Sequence, residues 1–103
     1  MNEREFMDGL IRDLFPVLGW EVVHFRPAQT KHGWRTPVQG TMGKGWPDLI
    51  LARPPRLIAA ECKSDTGKVD EEQARILDLL GRCGIEVYVW RPKDLDTIAG
   101  ILR

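Results

Sequence analysis

Two short apolar runs, Leu49-Ile50-Leu51-Ala52 and Leu57-Ile58-Ala59-Ala60, flank Arg53-Pro54-Pro55-Arg56, and this arrangement constrains the fold more than any other part of the chain. Runs this short, broken by paired prolines, suit strands better than helices. A turn centred on the prolines makes them a β-hairpin, strands 49–53 and 57–63, with Asp48 opposite Glu61. Directly opposed residues share a face, with Cβ atoms about 4.5–5.5 Å apart. Lys63 lies two residues beyond Glu61 and therefore points to the same face. The register carries this inference, because a slip of one residue would send each side chain to the other face.

Asp48, Glu61 and Lys63 then converge at one end of a sheet. Carboxylates held this close repel unless a cation sits between them, and hard, oxygen-seeking Mg²⁺ suits such a site. Such an ion polarises a phosphodiester and makes hydroxide available near neutral pH. Lys63 can orient the attacking water or stabilise the charge that builds on phosphorus. An ordinary surface Glu–Lys pair has the same spacing. The flanks favour a site, since both acids end apolar runs where a buried strand meets the surface.

With 103 residues the chain makes a single domain, residues 1–103, with one modest core. The net charge is zero, but its distribution is uneven: residues 1–25 carry net −3, residues 26–68 net +5 and residues 69–103 net −2. The eight basic residues of the middle stretch are Arg26, Lys31, Arg35, Lys44, Arg53, Arg56, Lys63 and Lys68. They surround the proposed site, where a phosphate backbone would lie, although charge runs also serve simply as solvated surface. Cys62 and Cys83 lack metal-ligand or C-x-x-C spacing and read as small buried residues of a reducing compartment. No apolar run is long enough to span a membrane and no signal peptide is visible, so the expectation is a soluble, cytoplasmic protein.

Residues 3–18 read as a helix with Phe6, Leu10, Ile11, Leu14 and Leu18 on one stripe, capped by Asn2 and kinked or ended at Pro16. Trp20 to Phe25 reads as a strand. Residues 26–45, with two prolines and four glycines, read as a long irregular segment. Asp70 caps a helix of about Glu71–Cys83 stopped by Gly84, Ile85 to Trp90 is a strand, and Asp94 caps a final helix, Leu95–Leu102. The order α-β-β-β-α-β-α predicts an α/β fold with a mixed β-sheet flanked by helices.

Several ordered segments resemble the VRR-NUC group of the PD-(D/E)XK nuclease superfamily. They are Leu18-Gly19-Trp20, Val23-His24-Phe25-Arg26, Gly45-Trp46-Pro47-Asp48-Leu49, Glu61-Cys62-Lys63-Ser64 (Cys62 replacing the usual Leu), Gly67-Lys68-Val69 with Gln73, and Val87-Tyr88-Val89-Trp90-Arg91-Pro92. The resemblance implies a restriction-endonuclease-like core and a nuclease dependent on Mg²⁺ or Mn²⁺, with Asp48, Glu61 and Lys63 at its centre. It further implies a glutamate on the first helix and a glutamine after the Glu-x-Lys strand. Glu5 is the candidate for the first, with Glu3 behind it, although Glu5 also fits a capping box with Asn2. Gln73 is the candidate for the second, although Asp70-x-x-Gln73 is itself a capping-box spacing. The expected metal donors are Asp48, Glu61, the Cys62 backbone carbonyl and Glu5.

His24, Arg26, Lys31, Arg35, Lys44 and Lys68 are the expected DNA contacts, each with a bland alternative as a hydrogen-bonded strand end or solvated charge. Trp34 and Trp46 can stack on exposed bases, though Trp46 suits a core anchor below the Pro47 turn better. Small stand-alone members of the group resemble junction-resolving enzymes that act as homodimers, and single-domain versions occur in phages. The expectation is a DNA endonuclease selective for branched or Holliday-junction DNA, acting as a homodimer and compatible with a phage origin. A rival from another class is a non-catalytic nucleic-acid-binding module on the same scaffold.

Overall fold

The computed structural model describes residues 1–25, 28–35 and 38–103; for residues 28–30 and 34–35 it describes the backbone alone. Strands β4 (Leu49–Arg53) and β5 (Arg56–Cys62) form the predicted hairpin. Their register runs from Leu49↔Ala60 to Arg53↔Arg56, the one the prolines imply, and the Pro54–Pro55 bond is cis. Strand β1 (Glu21–His24) pairs antiparallel with β4. Strand β6 (Glu86–Trp90) pairs parallel with β5. The sheet order is β1-β4-β5-β6. A parallel pair needs a crossover, and helix α3 (Glu71–Arg82) supplies it.

Strand β5 lies between two neighbours, and its residues Ile58 to Cys62 are all buried. On one face Leu49, Leu51, Ile58, Ala60, Cys62 and Trp90 pack with Phe6, Leu10 and Phe15 of the N-terminal helix and with Ile98 and Leu102 of α4 (Leu95–Leu102). On the other face α3 lies against β5 and β6, with Ile76 fully buried. Burying that apolar area from both sides explains why β5 carries two alanines at its centre, since small side chains let helices approach closely. Cys62 is part of this core, and burial pushes its thiol pKa well above the ordinary value, with help from Asp48 and Glu61.

Several expectations need correction, among them a buried Cys83, which is exposed at the C-terminal end of α3. The first helix does not stop at Pro16. It runs as α1 (Glu3–Gly9), a π-helical turn (Leu10–Leu14) and α2 (Phe15–Val17). Proline lacks an N–H and crowds the carbonyl four residues back. The wider turn, in which the Phe15 N–H bonds to Leu10 O, accommodates this without breaking the buried stripe. Residues 26–45 are not wholly irregular: β2 (Ala28–Thr30) and β3 (Gly33–Arg35) form a separate antiparallel hairpin. These strands are three residues each and show no apolar alternation, so no periodic signal announces them.

Asp94 makes no side-chain cap for α4. Its carboxylate accepts from the Arg91 N–H at 3.0 Å, inside a 3-10 turn (Pro92–Asp94). Finally, Arg53 and Arg56 are not part of a positive field around the candidate site. They stand at the far end of the hairpin, roughly 16 Å from Asp48 along the strand at about 3.3 Å per residue. There Arg53 Nη1 donates to Leu18 O at 2.9 Å and Leu102 O at 2.8 Å, and Arg56 Nη1 donates to Ile101 O at 2.9 Å. Helix ends leave unpaired carbonyls, and these guanidinium groups satisfy them while both lie over the Trp20 ring, 4.7 and 5.0 Å from its centroid.

Candidate active site

The geometry begins in the 3-10 turn (Gly43–Gly45) before β4, which rests directly on α3. A Cβ at Gly45 would overlap the Glu72 carbonyl and lie 2.9 Å from Ile76 Cγ1, so only glycine permits this approach. Arg75 strengthens the contact by donating to Thr41 O at 2.9 Å. Gly45→Ala is expected to destabilise the protein by about 1–3 kcal/mol, the usual cost of overpacking. A urea melt checks it, and an unchanged midpoint would mean that the turn shifts freely.

From this anchor the chain passes Trp46, edge-on to Phe25 with centroids 5.8 Å apart, and buried Pro47 to reach Asp48. Trp46 is thus half-buried as an anchor below the turn. Asp48 is held by both neighbouring strands: its carbonyl accepts from the Phe25 N–H at 3.0 Å, and its Oδ2 accepts from the Cys62 N–H at 2.9 Å. The carboxylate therefore takes the place of a ladder partner just before β4 begins.

Glu61 is only 1% exposed, and its Oε2 is buried with no hydrogen-bond partner. A buried unpaired charge is costly. Burial, then the hydrogen bond and charge of Asp48, push the Glu61 carboxyl up to about 10, while Lys63 pulls it down. Without a cation Glu61 holds its proton at neutral pH, as a carboxyl buried beside another does. Lys63 is half-buried, and its N–H donates to Trp90 O at 3.0 Å, extending the β5–β6 ladder.

The helix glutamate Glu3 feels this cluster. Its carboxyl is raised by burial and by Asp48 and lowered by Lys63, and its charge in turn raises Glu61. Glu5 is exposed and lines an open groove with Phe6, Leu10 and Leu95. Helix phase carried the signal for Glu3: it stands three and seven residues before Phe6 and Leu10 on the buried stripe. Gln73 completes the capping box of α3, with Oε1 accepting from the Asp70 N–H at 3.1 Å.

His24 closes β1 opposite Leu49 and is half-buried. Lys31, Lys44 and Lys68 are exposed. Arg26 lies outside the described residues, as do the side chains of Trp34 and Arg35. Among the described residues no group of three His, Cys, Asp or Glu side chains could hold a metal ion. The cluster nevertheless offers two carboxylates, one with an orphaned buried oxygen, and oxygen donors of this kind fit a hard divalent cation.

A mixed four-stranded sheet flanked by helices, with Asp, Glu and Lys converging where the central hairpin ends, defines a nuclease-type α/β domain with a restriction-endonuclease-like core. The family model of the VRR-NUC domain matches residues 21–94, and the chain belongs to that family. The match holds Asp48, Glu61, Lys63 and Gln73 and leaves α1 outside. A comparison with curated proteins gave no match. Among the described residues no helix is long and apolar enough to cross a membrane.

Proposed function

We propose that this protein is a divalent-metal-dependent DNA endonuclease that hydrolyses phosphodiester bonds, with Mg²⁺ or Mn²⁺ as the ion and branched DNA as the preferred substrate. The observation that carries the reading is the buried, unpartnered Oε2 of Glu61 beside Asp48. An acid this expensive to bury serves the fold poorly and serves a cation well. Asp48, Glu61 and the Cys62 carbonyl would hold the ion. Glu3, rather than Glu5, is the helix glutamate proposed to complete the set through a bridging water. A bound cation supplies positive charge to the phosphodiester and makes hydroxide available near neutral pH.

The chain's own residues do the remaining work. Asp48, locked by its two backbone bonds, fixes where the phosphate sits. Lys63 orients the nucleophile and offsets charge as it builds on the phosphoryl oxygens. Gln73, with Oε1 occupied by the cap, retains its NH₂ as a donor to water or phosphate. Lys31, Lys44 and Lys68, with Arg26 and Arg35, are proposed to neutralise backbone phosphates, and His24 to lie beside the cleaved one. A homodimer is proposed on the resemblance to small stand-alone members of the group, so that two copies would embrace a branched duplex.

A cleavage panel of four-way junction, flap, single-stranded and linear duplex DNA, with either ion, tests the reading. Preferential cutting of the junction is expected. Equal cutting of every substrate would remove the structural selectivity. Binding without cutting of any form would favour a non-catalytic DNA-binding module.

A further inference from the structure

Lys63 is the last residue of the cluster before the chain turns away from the sheet. What fixes its stem is therefore the turn that follows, residues 64–67, rather than a strand on both sides. This turn closes on itself, with the Gly67 N–H donating to Ser64 O at 3.2 Å. It also folds back over Lys63, since the position a Cβ would take on Gly67 is 3.6 Å from Lys63 Cβ.

One side chain fastens this turn to the sheet. Arg91 Nη1 donates to Ser64 O and to Gly67 O, both at 2.6 Å. Its own backbone is immobilised, with its N–H on Asp94 Oδ2 at 3.0 Å and its carbonyl accepting from the Asp94 N–H at 2.8 Å. A second tie lies alongside, the Lys93 N–H donating to Asp65 Oδ1 at 3.0 Å. Arg91 also follows Trp90, whose carbonyl holds the Lys63 N–H. The end of β6 thus grips both the backbone of Lys63 and the turn beyond it. Charge-assisted bonds to carbonyls are among the stronger hydrogen bonds. A half-buried arginine spent on two backbone oxygens is not available to neutralise a phosphate with those protons.

We propose that Arg91 is a positioning residue for Lys63, holding the 64–67 turn so that the ammonium meets the scissile phosphate. This rests on the hydrolytic reading of the site. The test compares wild type, Arg91→Met, which keeps an apolar stem, and Arg91→Lys, which restores a donor to the carbonyls. Turnover is measured on the best substrate of the panel, at the folded fraction found by circular dichroism, and repeated in a Lys63→Ala background. In Arg91→Met, kcat is expected to fall on the order of 10–100-fold with KM within about twofold, since small misplacements of reacting groups have effects of that size. Arg91→Lys should recover most of the loss, and Arg91→Met should cost nothing further once Lys63 is gone.

A raised KM with unchanged kcat would make Arg91 a DNA contact and overturn the proposal. So would full activity of the folded Arg91→Met protein, or an equal loss with and without Lys63. A wild type that cuts no DNA would remove the hydrolytic reading itself. A wild type that cuts, with Arg91→Met unaffected, would remove the role of Arg91 alone.

Discussion

Glu61→Gln is expected to lower cleavage by about a thousandfold or more while leaving the protein folded. The substitution keeps the shape of the side chain and removes only its ability to become an anion. Several kcal/mol of transition-state stabilisation from a bound cation correspond to about three powers of ten in rate. Stability should not suffer, because Glu61 is buried and holds its proton at neutral pH, a state that glutamine mimics. Asp48→Ala should be as inactive but less stable, by about 0.5–1.5 kcal/mol, because it also deletes the acceptor of the Cys62 N–H. Asp48→Asn retains an oxygen there and should separate the two effects. Single-turnover cleavage at enzyme excess, paired with thermal melts, gives both readings. A Glu61→Gln protein within tenfold of wild type would exclude Glu61 from the chemistry.

The second large effect is on stability as a function of pH and cation. The folded state raises the Glu61 carboxyl from 4.5 to about 10. Between those values the folded protein binds more protons than the unfolded chain, so stability falls as pH rises. The limiting slope is about 1.4 kcal/mol per pH unit for one full proton. Burial raises Glu3 as well, in the same direction. The metal-free protein should therefore melt progressively lower as pH rises from about 5 to about 9. Glu61→Gln should flatten the profile. Binding of Mg²⁺ or Mn²⁺ at Glu61 would displace the Glu61 proton, so the cation should raise the melting temperature more at pH 8.5 than at pH 6. A profile identical in wild type and Glu61→Gln would mean that Glu61 does not carry the proton.

Much of this was legible because the hairpin is a local structure. Paired prolines between two short apolar runs leave one sensible register, and Leu49↔Ala60 through Arg53↔Arg56 is that register. The cap of α3 was equally readable, since Asp70 and Gln73 bond within one turn of helix. The small β2–β3 hairpin was not, because three-residue strands give too few positions for a period to appear.

The arginines show where reading along the chain stops. Arg53, Arg56 and Arg91 have the same chemistry as any DNA-binding arginine. The first two end on the carbonyls of Leu18, Ile101 and Leu102, and the third on those of Ser64 and Gly67. A guanidinium goes to whichever acceptors folding brings near it, and these lie 24 to 49 residues away in sequence.

By itself, then, the amino-acid order determined the hairpin, its register and hence the meeting of Asp48 with Glu61. It also determined the helical stripe that points Glu3 inward. Only the tertiary structure decided which end of the sheet that helix would reach, and so that Glu3 feels the charge of Asp48 and Lys63 while Glu5 stands exposed on the open groove. The reason is one of range. Register and helix phase follow from neighbours a few residues apart, whereas the docking of α1 on the sheet follows from apolar area buried among Phe6, Leu10, Phe15, Ile98 and Leu102, which come from opposite ends of the chain.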